Sequence, residues 1–431
     1  MKRWGKIVLK TLLTIVGLTL LNCVLLVLSY CLPTGTMRQH VAESAPLIES
    51  EDLYFRWDWG YTTTQVDGQS EYDLYGMAIN EDAESSAIEK AMFMLYPDGE
   101  NLPRNEGVMA YARKDNIHFD LRPYTRYWNG SVIFIKLLLL KFTIHDIRML
   151  NFFVQITLLL VIVWLMARQK MDKYMIPFFA GIIFINPFTM ALSVKYASEY
   201  IPMLLSILSI LVFGDRIEKK QGGMEMLFAI TGSVTAFMCM LSFPGIALGM
   251  PLLILTWRIR ENKALATVLR MSAFWGIAYA ITWSMKWIIG TLTTSYNFLG
   301  DAFDQMFKYQ GDNTVAASPI ERLIHTLWCI YNPVYVLLFL CLGALSVVLY
   351  IKYNKREDTD IVTDKGYLID RLLAYAIIAI IPFVIILGLG NGYAYVHAYM
   401  AHRNYAVSVT AGICIMELLF AEIFGKARKK S

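Results

Sequence analysis

Glu71 and Asp73 stand two residues apart in the run "SEYDLYGMAIN", within the one long polar stretch of an otherwise apolar chain. Tyr72, Tyr75, Gly76 and Ile79 recur there at helical spacing, and about 100° of rotation per residue puts Asp73 at the edge of their shared face. A carboxylate so placed is partly shielded from water while it points into a cleft. Burial raises its proton affinity, and a neighbouring cation or metal lowers it again. Such a group can take a proton from a sugar or lipid hydroxyl. The plainer reading is that both acids cap and solubilise an amphipathic helix.

The elements that must hold these carboxylates are membrane helices. Of 431 residues, 56% are hydrophobic and only 17% charged, with a mean hydropathy of +0.46, which is too little charge for a soluble protein of this length. Long uncharged runs recur from end to end, predicting an all-α polytopic membrane protein, residues 1–431 forming a single membrane domain. About ten transmembrane helices are expected, over roughly 11–32, 149–167, 174–191, 196–214, 224–241, 242–257, 271–291, 331–351, 369–390 and 404–424. Lys2, Arg3, Lys6 and Lys10 precede the first, so its N-terminus is expected in the cytoplasm. With ten spans, the clusters at Arg168–Lys173, Arg216–Lys220, Arg258–Arg270, Lys352–Arg356 and Lys426–Lys430 all fall on that side, and so do both termini. The net charge of +4 is spread over these clusters, a pattern of topology determinants rather than a nucleic-acid surface. Ser131–Phe142 is too short to span and reads as a re-entrant or interfacial helix whose Lys136 and Lys141 snorkel to headgroups.

This threading leaves two large exterior segments, 33–130 directly after the first span and 293–330. The first is too aromatic for a flexible linker, with Tyr54, Phe55, Trp57, Trp59, Tyr61, Tyr72 and Tyr75. Apolar spacing predicts a helix over Asp82–Leu95, stopped by Pro97-Asp98-Gly99. Lys195 and Glu199 read as an i,i+4 ion pair at a span end. His145, Asp146 and Arg148 resemble a metal cluster only superficially. Six cysteines without a CxxC spacing lie in or beside apolar runs and are expected as buried free thiols. The sequon at Asn129 abuts the membrane and is discounted.

A first span with a cytoplasmic N-terminus, followed by a large exterior loop bearing a carboxylate on a helix, resembles the GT-C membrane glycosyltransferases. "EYDLYGMA" is similar to their acidic loop motif, with Glu71, Asp73, Tyr75 and Ala78 at the matching positions, although it lacks a clean paired-acid signature. "PYTRYWNG", "IHDIRMLN", "SFPGIALGMPLL", "SMKWIIGTL" and "HRNYA" look like an uncharacterised bacterial branch of these multi-span proteins. The resemblance implies an inverting hexosyltransferase in the bacterial plasma membrane. It would move a sugar from a polyprenyl-phosphate-linked donor to a cell-envelope glycan or lipid on the exterior face, with membrane lipid around it and no nucleic-acid partner. Asp73 would be the base, with Asp58 and Asp52 as rivals. Trp57 and Trp59 flank Asp58 and suit sugar stacking, and Tyr75 joins them on the acceptor side. Arg403, Arg126, Lys286 and His402 would meet the donor phosphate, since arginine's planar fork suits it, with His325 as a further donor. Arg126 and Lys286 also read as interfacial anchors beside Trp and Tyr. Whether a divalent metal takes part is left open.

Two other functions fit the same outline: a lipid or polysaccharide flippase, and a GT-C-like protein that has lost its chemistry. Few ionisable residues within spans and no internal repeat weigh against transport.

Overall fold

Helix length and hydropathy sort the apolar segments into two kinds. The computed structural model describes residues 2–58, 61–310, 317–329, 331–354 and 365–429. Seven helices are long and apolar enough to cross a membrane: α1 (Lys2–Ser29), α8 (Ile144–Arg168), α11 (Val194–Glu218), α14 (Ala264–Thr293), α17 (Pro333–Asn354), α18 (Lys365–Gly388), and the run in which α19 (Ala398–Ala401) leads into α20 (Ala406–Lys429). At about 1.5 Å of rise per residue each covers a hydrocarbon layer of about 30 Å. Their exposed side chains include Leu13, Leu160, Leu340 and Val384, an apolar surface suited to lipid. The chain is a multi-pass helical membrane protein.

Seven of the ten expected segments meet that length. The other three segments are helical but short. The run at 174–191 breaks into α9 (Met175–Ile185) and α10 (Pro187–Leu192) at Asn186, whose φ is 65° and whose side chain accepts from Thr189 N at 3.3 Å. The helices α12 (Gly223–Met238) and α13 (Gly245–Arg258) have 16 and 14 residues. By rise alone they reach about 24 and 21 Å. α13 is buried over almost its whole length, so neighbouring helices cover it instead of lipid.

The bundle has two distinct ends. At one, Arg258 donates to Gln169 Oε1 at 2.7 Å and pairs with Asp215, joining the C-terminal ends of α8, α11 and α13. There too Arg270 meets Glu225 at 3.1 Å, and Asp370 accepts from the N–H groups of Ala264 and Leu265 at the start of α14. The opposite end carries a polar cap built from α2 (Thr34–Glu43), α3 (Ala45–Ile48), α4 (Gly68–Ile79), α5 (Ala87–Phe93), β1 (Tyr96–Gly99), α6 (Arg104–Arg113) and β2 (Phe119–Arg122). Its strands form an antiparallel hairpin with Tyr96 opposite Arg122 and Gly99 opposite Phe119. The segment expected as a second loop holds α15 (Phe298–Gln310) and α16 (Pro319–Trp328), and Thr125 Oγ1 ties the cap to α15 through Asp301 Oδ2 at 2.5 Å.

The run 123–130 seats the cap. Trp128 is fully buried and donates to Thr282 O at 2.7 Å, while Trp283 and Trp287 donate back to Arg126 O at 2.8 and 3.2 Å. Gly130 N reaches Phe237 O at 2.9 Å, and a Cβ on Gly130 would lie 2.2 Å from the Phe237 ring. Only glycine allows that approach.

Three local expectations change. The helix expected over 82–95 shortens to α5, because Ser86 and Glu89 form a capping box that starts it later. Pro97-Asp98-Gly99 is strand β1 and not merely a stop. The short helix α7 (Ser131–Leu139) is present, but Lys136 does not snorkel. It is fully buried and donates to Ala78 O at 2.7 Å, at the C-terminal end of α4.

Candidate functional site

The cap helix α4 begins at Asp67, in "DGQSEYD". Asp67 is its N-cap and accepts from Ser70 N at 3.4 Å, the usual way an aspartate satisfies an otherwise unpaired helix donor. Its other oxygen pairs with Lys195 Nζ at the start of α11, and both side chains are buried. Burial alone would raise the Asp67 carboxyl, yet the Lys195 charge and hydrogen bond outweigh it and hold the group below the usual carboxylate range. Asp67 is therefore ionised at neutral pH.

Asp73 lies further along the same helix in the opposite state. It is 4% exposed, and Arg104 Nε sits 2.7 Å from Oδ1. That contact is an ion pair without an aligned N–H, so no hydrogen-bond donor among the described residues is aimed at Oδ1. Arg104 divides its charge: Nη1 meets Asp98 Oδ1 at 2.6 Å, and the guanidinium lies over the Tyr96 ring at 4.6 Å. Desolvation wins at Asp73 and pushes its carboxyl up to about 7, helped by Asp67 and Asp98 and opposed by Arg104 and Lys195. Two carboxylates driven apart by their surroundings are the arrangement from which acid and base roles arise.

Further groups surround the pair. Tyr54 donates to Gln69 Oε1 at 2.8 Å and meets Tyr399 edge-on at 5.7 Å. Arg126 is half-buried, its guanidinium over the Tyr124 ring at 5.0 Å. His397 follows a single π-helical turn, Gly392–Val396, a feature that recurs at functional sites. Burial lowers the imidazole to about 4, Lys195 and Arg126 push the same way, and Asp67 opposes them. His397 Nδ1 has no partner among the described residues.

The residues singled out from sequence separate into groups. Asp73 and Arg126 border this cluster. Glu71 points the other way and caps α11: it accepts from Val194 N and Lys195 N at 2.9 Å each and from Ser193 Oγ at 2.8 Å. Tyr75 is buried inside the cap. Asp52 is exposed at the cap surface, and Asp58 is half-buried. Arg56 binds Gln65 Oε1 at 2.9 and 3.0 Å, not Asp58. Trp57 is 43% exposed and anchored, donating to Thr189 Oγ1 at 2.9 Å, while Trp59 lies outside the described residues.

The other expected phosphate ligands serve as interior ties. Lys286 is fully buried and donates to Ala91 O at 2.9 Å, near the end of α5. Arg403 is fully buried under the Tyr196 ring and donates to the carbonyls of Tyr399 and Thr63 at 2.8 Å and of Gln65 at 3.3 Å. His402 is buried with Nδ1 3.2 Å from Ala398 O, and His325 stacks on Tyr395 at 4.1 Å. The expected Lys195–Glu199 pair does not form. Lys195 takes Asp67, and Glu199 accepts from Ser242 N and Phe243 N at 2.7 and 2.5 Å. Of the His145 cluster, Asp146 closes a capping box with Thr143, and Arg148 pairs with Glu51 at 2.6 and 3.0 Å.

Asp67, Arg104, Lys195 as a cation, and His397 were missed. The N-cap pattern Asp67-Gly-x-Ser70 was the one local signal for Asp67. The rest depend on contacts across more than 30 positions of chain. An apolar groove of ≈ 620 Å³ opens between α17 and α20, lined by Phe184, Tyr335, Phe339, Val409 and Ile413. Thr63, which accepts from Arg403, closes its cap end. Among the described residues no three His, Cys, Asp or Glu side chains gather to hold a metal ion, and all six cysteines are free. No family model matches the chain, and neither a curated protein nor a solved structure is similar to it.

Proposed function

We propose that this protein is a GT-C-like membrane transferase that moves a sugar from a polyprenyl-phosphate-linked donor to a hydroxyl of an envelope glycan or lipid. The cap end faces the cell exterior, and α9/α10, α12 and α13 complete a set of ten crossings. The observation that carries this reading is Asp73: a buried carboxylate poised near neutrality, beside the ionised Asp67–Lys195 pair. Asp73 takes the proton of the acceptor hydroxyl, the oxygen attacks the anomeric carbon, and the bond to phosphate breaks with its electron pair leaving on the phosphate. Arg126 at the rim offsets the charge that develops there. Arg403, Lys286 and His402 are fully buried in the protein interior, so the phosphate role falls to the half-buried Arg126. The groove between α17 and α20 suits the donor's hydrocarbon tail, and Trp57 offers a sugar-stacking face.

The test is Asp73→Asn, assayed in membranes supplied with lipid-linked sugars. Transfer should fall about 10²- to 10⁴-fold with the protein still inserted and folded. Full transfer by that variant would remove Asp73 from the base role. The same ion pairs favour a second reading, in which Arg104 simply links α4, the hairpin and α6 in a protein without chemistry. On that reading Asp73→Asn weakens the cap and alters no envelope glycan.

A further inference from the structure

The short helix α16 turns an apolar stripe outward at the cap end of the bundle. Ile320, Ile324, Leu327 and Trp328 stand on one side of it, at the i, i+4, i+7, i+8 spacing of a single helix face. All four are exposed, and Ile320, Ile324 and Trp328 are more than half so. The other side of α16 is fixed to the protein. Thr326 is fully buried and its hydroxyl reaches Ala394 O at 3.3 Å, Arg322 Nη1 donates to Leu387 O at 3.3 Å, and the His325 ring stacks on Tyr395 at 4.1 Å. With these contacts made, the stripe cannot turn inward.

What covers the stripe follows from its level and its continuity. Leu387, which accepts from Arg322, lies in the last turn of α18. Trp328 precedes Pro333, the first residue of α17, by five positions, a reach of at most ~18 Å. α16 is therefore held beside the cap-side ends of two membrane-spanning helices, where hydrocarbon gives way to headgroups. Its stripe also leads onto the outer surface of α17. Trp328 stacks on Tyr331 at 5.1 Å, and Tyr331, Val334 and Leu337 are again more than half exposed.

We propose that α16 lies in the membrane interface, its stripe seated among the headgroups and upper acyl chains of the cap-side leaflet. A helix with one apolar face settles at that depth, with the face buried at the boundary of headgroups and chains. Trp and Tyr favour the same level, and Trp328 and Tyr331 supply both at the corner between α16 and α17. Leu327 and Tyr331 also line the groove between α17 and α20, so its cap-side mouth opens into lipid and not into water. The proposal does not rest on the transferase reading.

Nitroxide labels on the full chain in dioleoylphosphatidylcholine nanodiscs test it. A p-acetylphenylalanine at Ile320, at Ile324 or, as a water-facing control, at the exposed His118 takes an oxime-linked label and leaves the six free cysteines in place. Oxygen concentrates in the bilayer and a nickel chelate stays in water. Oxygen should therefore relax the labels at 320 and 324 several-fold more strongly than the chelate does, and the label at 118 should show the reverse order. Nickel access at 320 and 324 equal to that at 118 would put the stripe in water and overturn the proposal. Exclusion of both relaxants from these two positions would mean that a second copy of the chain covers it, which also overturns the proposal. If a labelled chain does not fold, Trp328 itself gives the answer. Bromines near the headgroup end of the acyl chains should quench the emission that W328F removes more strongly than bromines near the chain ends. Equal quenching by the two, stronger quenching by the deeper bromines, or none refutes the interfacial seat.

Discussion

Replacing Glu71 by glutamine separates a docking carboxylate from a reacting one. Glu71 is fully buried, and both its oxygens are engaged: Oε1 by Val194 N, Oε2 by Lys195 N and Ser193 Oγ, all at 2.8–2.9 Å. Burial raises its proton affinity above the usual carboxylate range, and these hydrogen bonds and the nearby Arg148 offset that only in part. The three donors directed at the carboxyl are nonetheless satisfied in full only by its acceptor-only, ionised form. Glutamine turns one acceptor oxygen into an NH2 that faces a donor. A hydrogen bond to a charged group contributes about 1.5–3 kcal/mol, and the anion also gains from the α11 dipole, so losing one or two such bonds costs about 3–5 kcal/mol. Tryptophan fluorescence during denaturation with SDS reads that loss, and limited proteolysis should show the cap releasing first. An E71Q protein within about 1 kcal/mol of wild type would mean that Glu71 is held protonated, and would refute the capping argument.

Asp73→Asn should behave differently with pH. A carboxyl raised from 3.8 to about 7 on folding stabilises the folded form fully below about 4, and that contribution is lost as pH rises through 7. Wild type should therefore lose up to about 4 kcal/mol relative to Asp73→Asn between pH 4 and 7, measured by the same denaturation series. Wild-type transfer should rise with pH through about 7, as the base deprotonates. A flat profile would show that another group takes the proton. Arg403→Lys loses the fork that spans Thr63, Gln65 and Tyr399, and should cost about 2–4 kcal/mol of stability with unchanged donor affinity in a binding titration. Lys286→Met should speed hydrogen exchange in α5, whose Ala91 carbonyl loses its donor, and leave transfer intact.

The helical membrane class was legible because it depends on composition and on apolar runs, which are local. Helix positions were legible for the same reason, to within about seven residues at either end for α8, α11 and α14. The lengths of the short apolar helices were not, because α13 is covered by other protein, and hydropathy does not distinguish a protein neighbour from a lipid one. Asp73 could be picked out as a carboxylate at the edge of an aromatic face. Its partner could not, since Arg104 arrives from a separate helix 31 positions on.

The misjudged residues share one physical cause. Glu71, Lys136, Glu199 and Lys286 were conspicuous because charges among apolar residues are costly, and cost is readily taken for function. In the structure each meets backbone groups at or beside a helix end: carboxylates at the N-terminus of α11 and in the turn just before α13, lysines at the C-terminal ends of α4 and α5. Helix ends leave unpaired N–H and C=O groups, and a low-dielectric interior offers no water to satisfy them. A chain that docks a polar cap onto short helices therefore needs long-range capping charges whatever its chemistry. What distinguishes Asp73 is that its ionised form is not fully satisfied: no donor is aligned on Oδ1, and its arginine is shared with Asp98. A charge that only holds the fold together would be fully paired, as Glu71 is. The incomplete pairing of Asp73 leaves an oxygen that can take a proton.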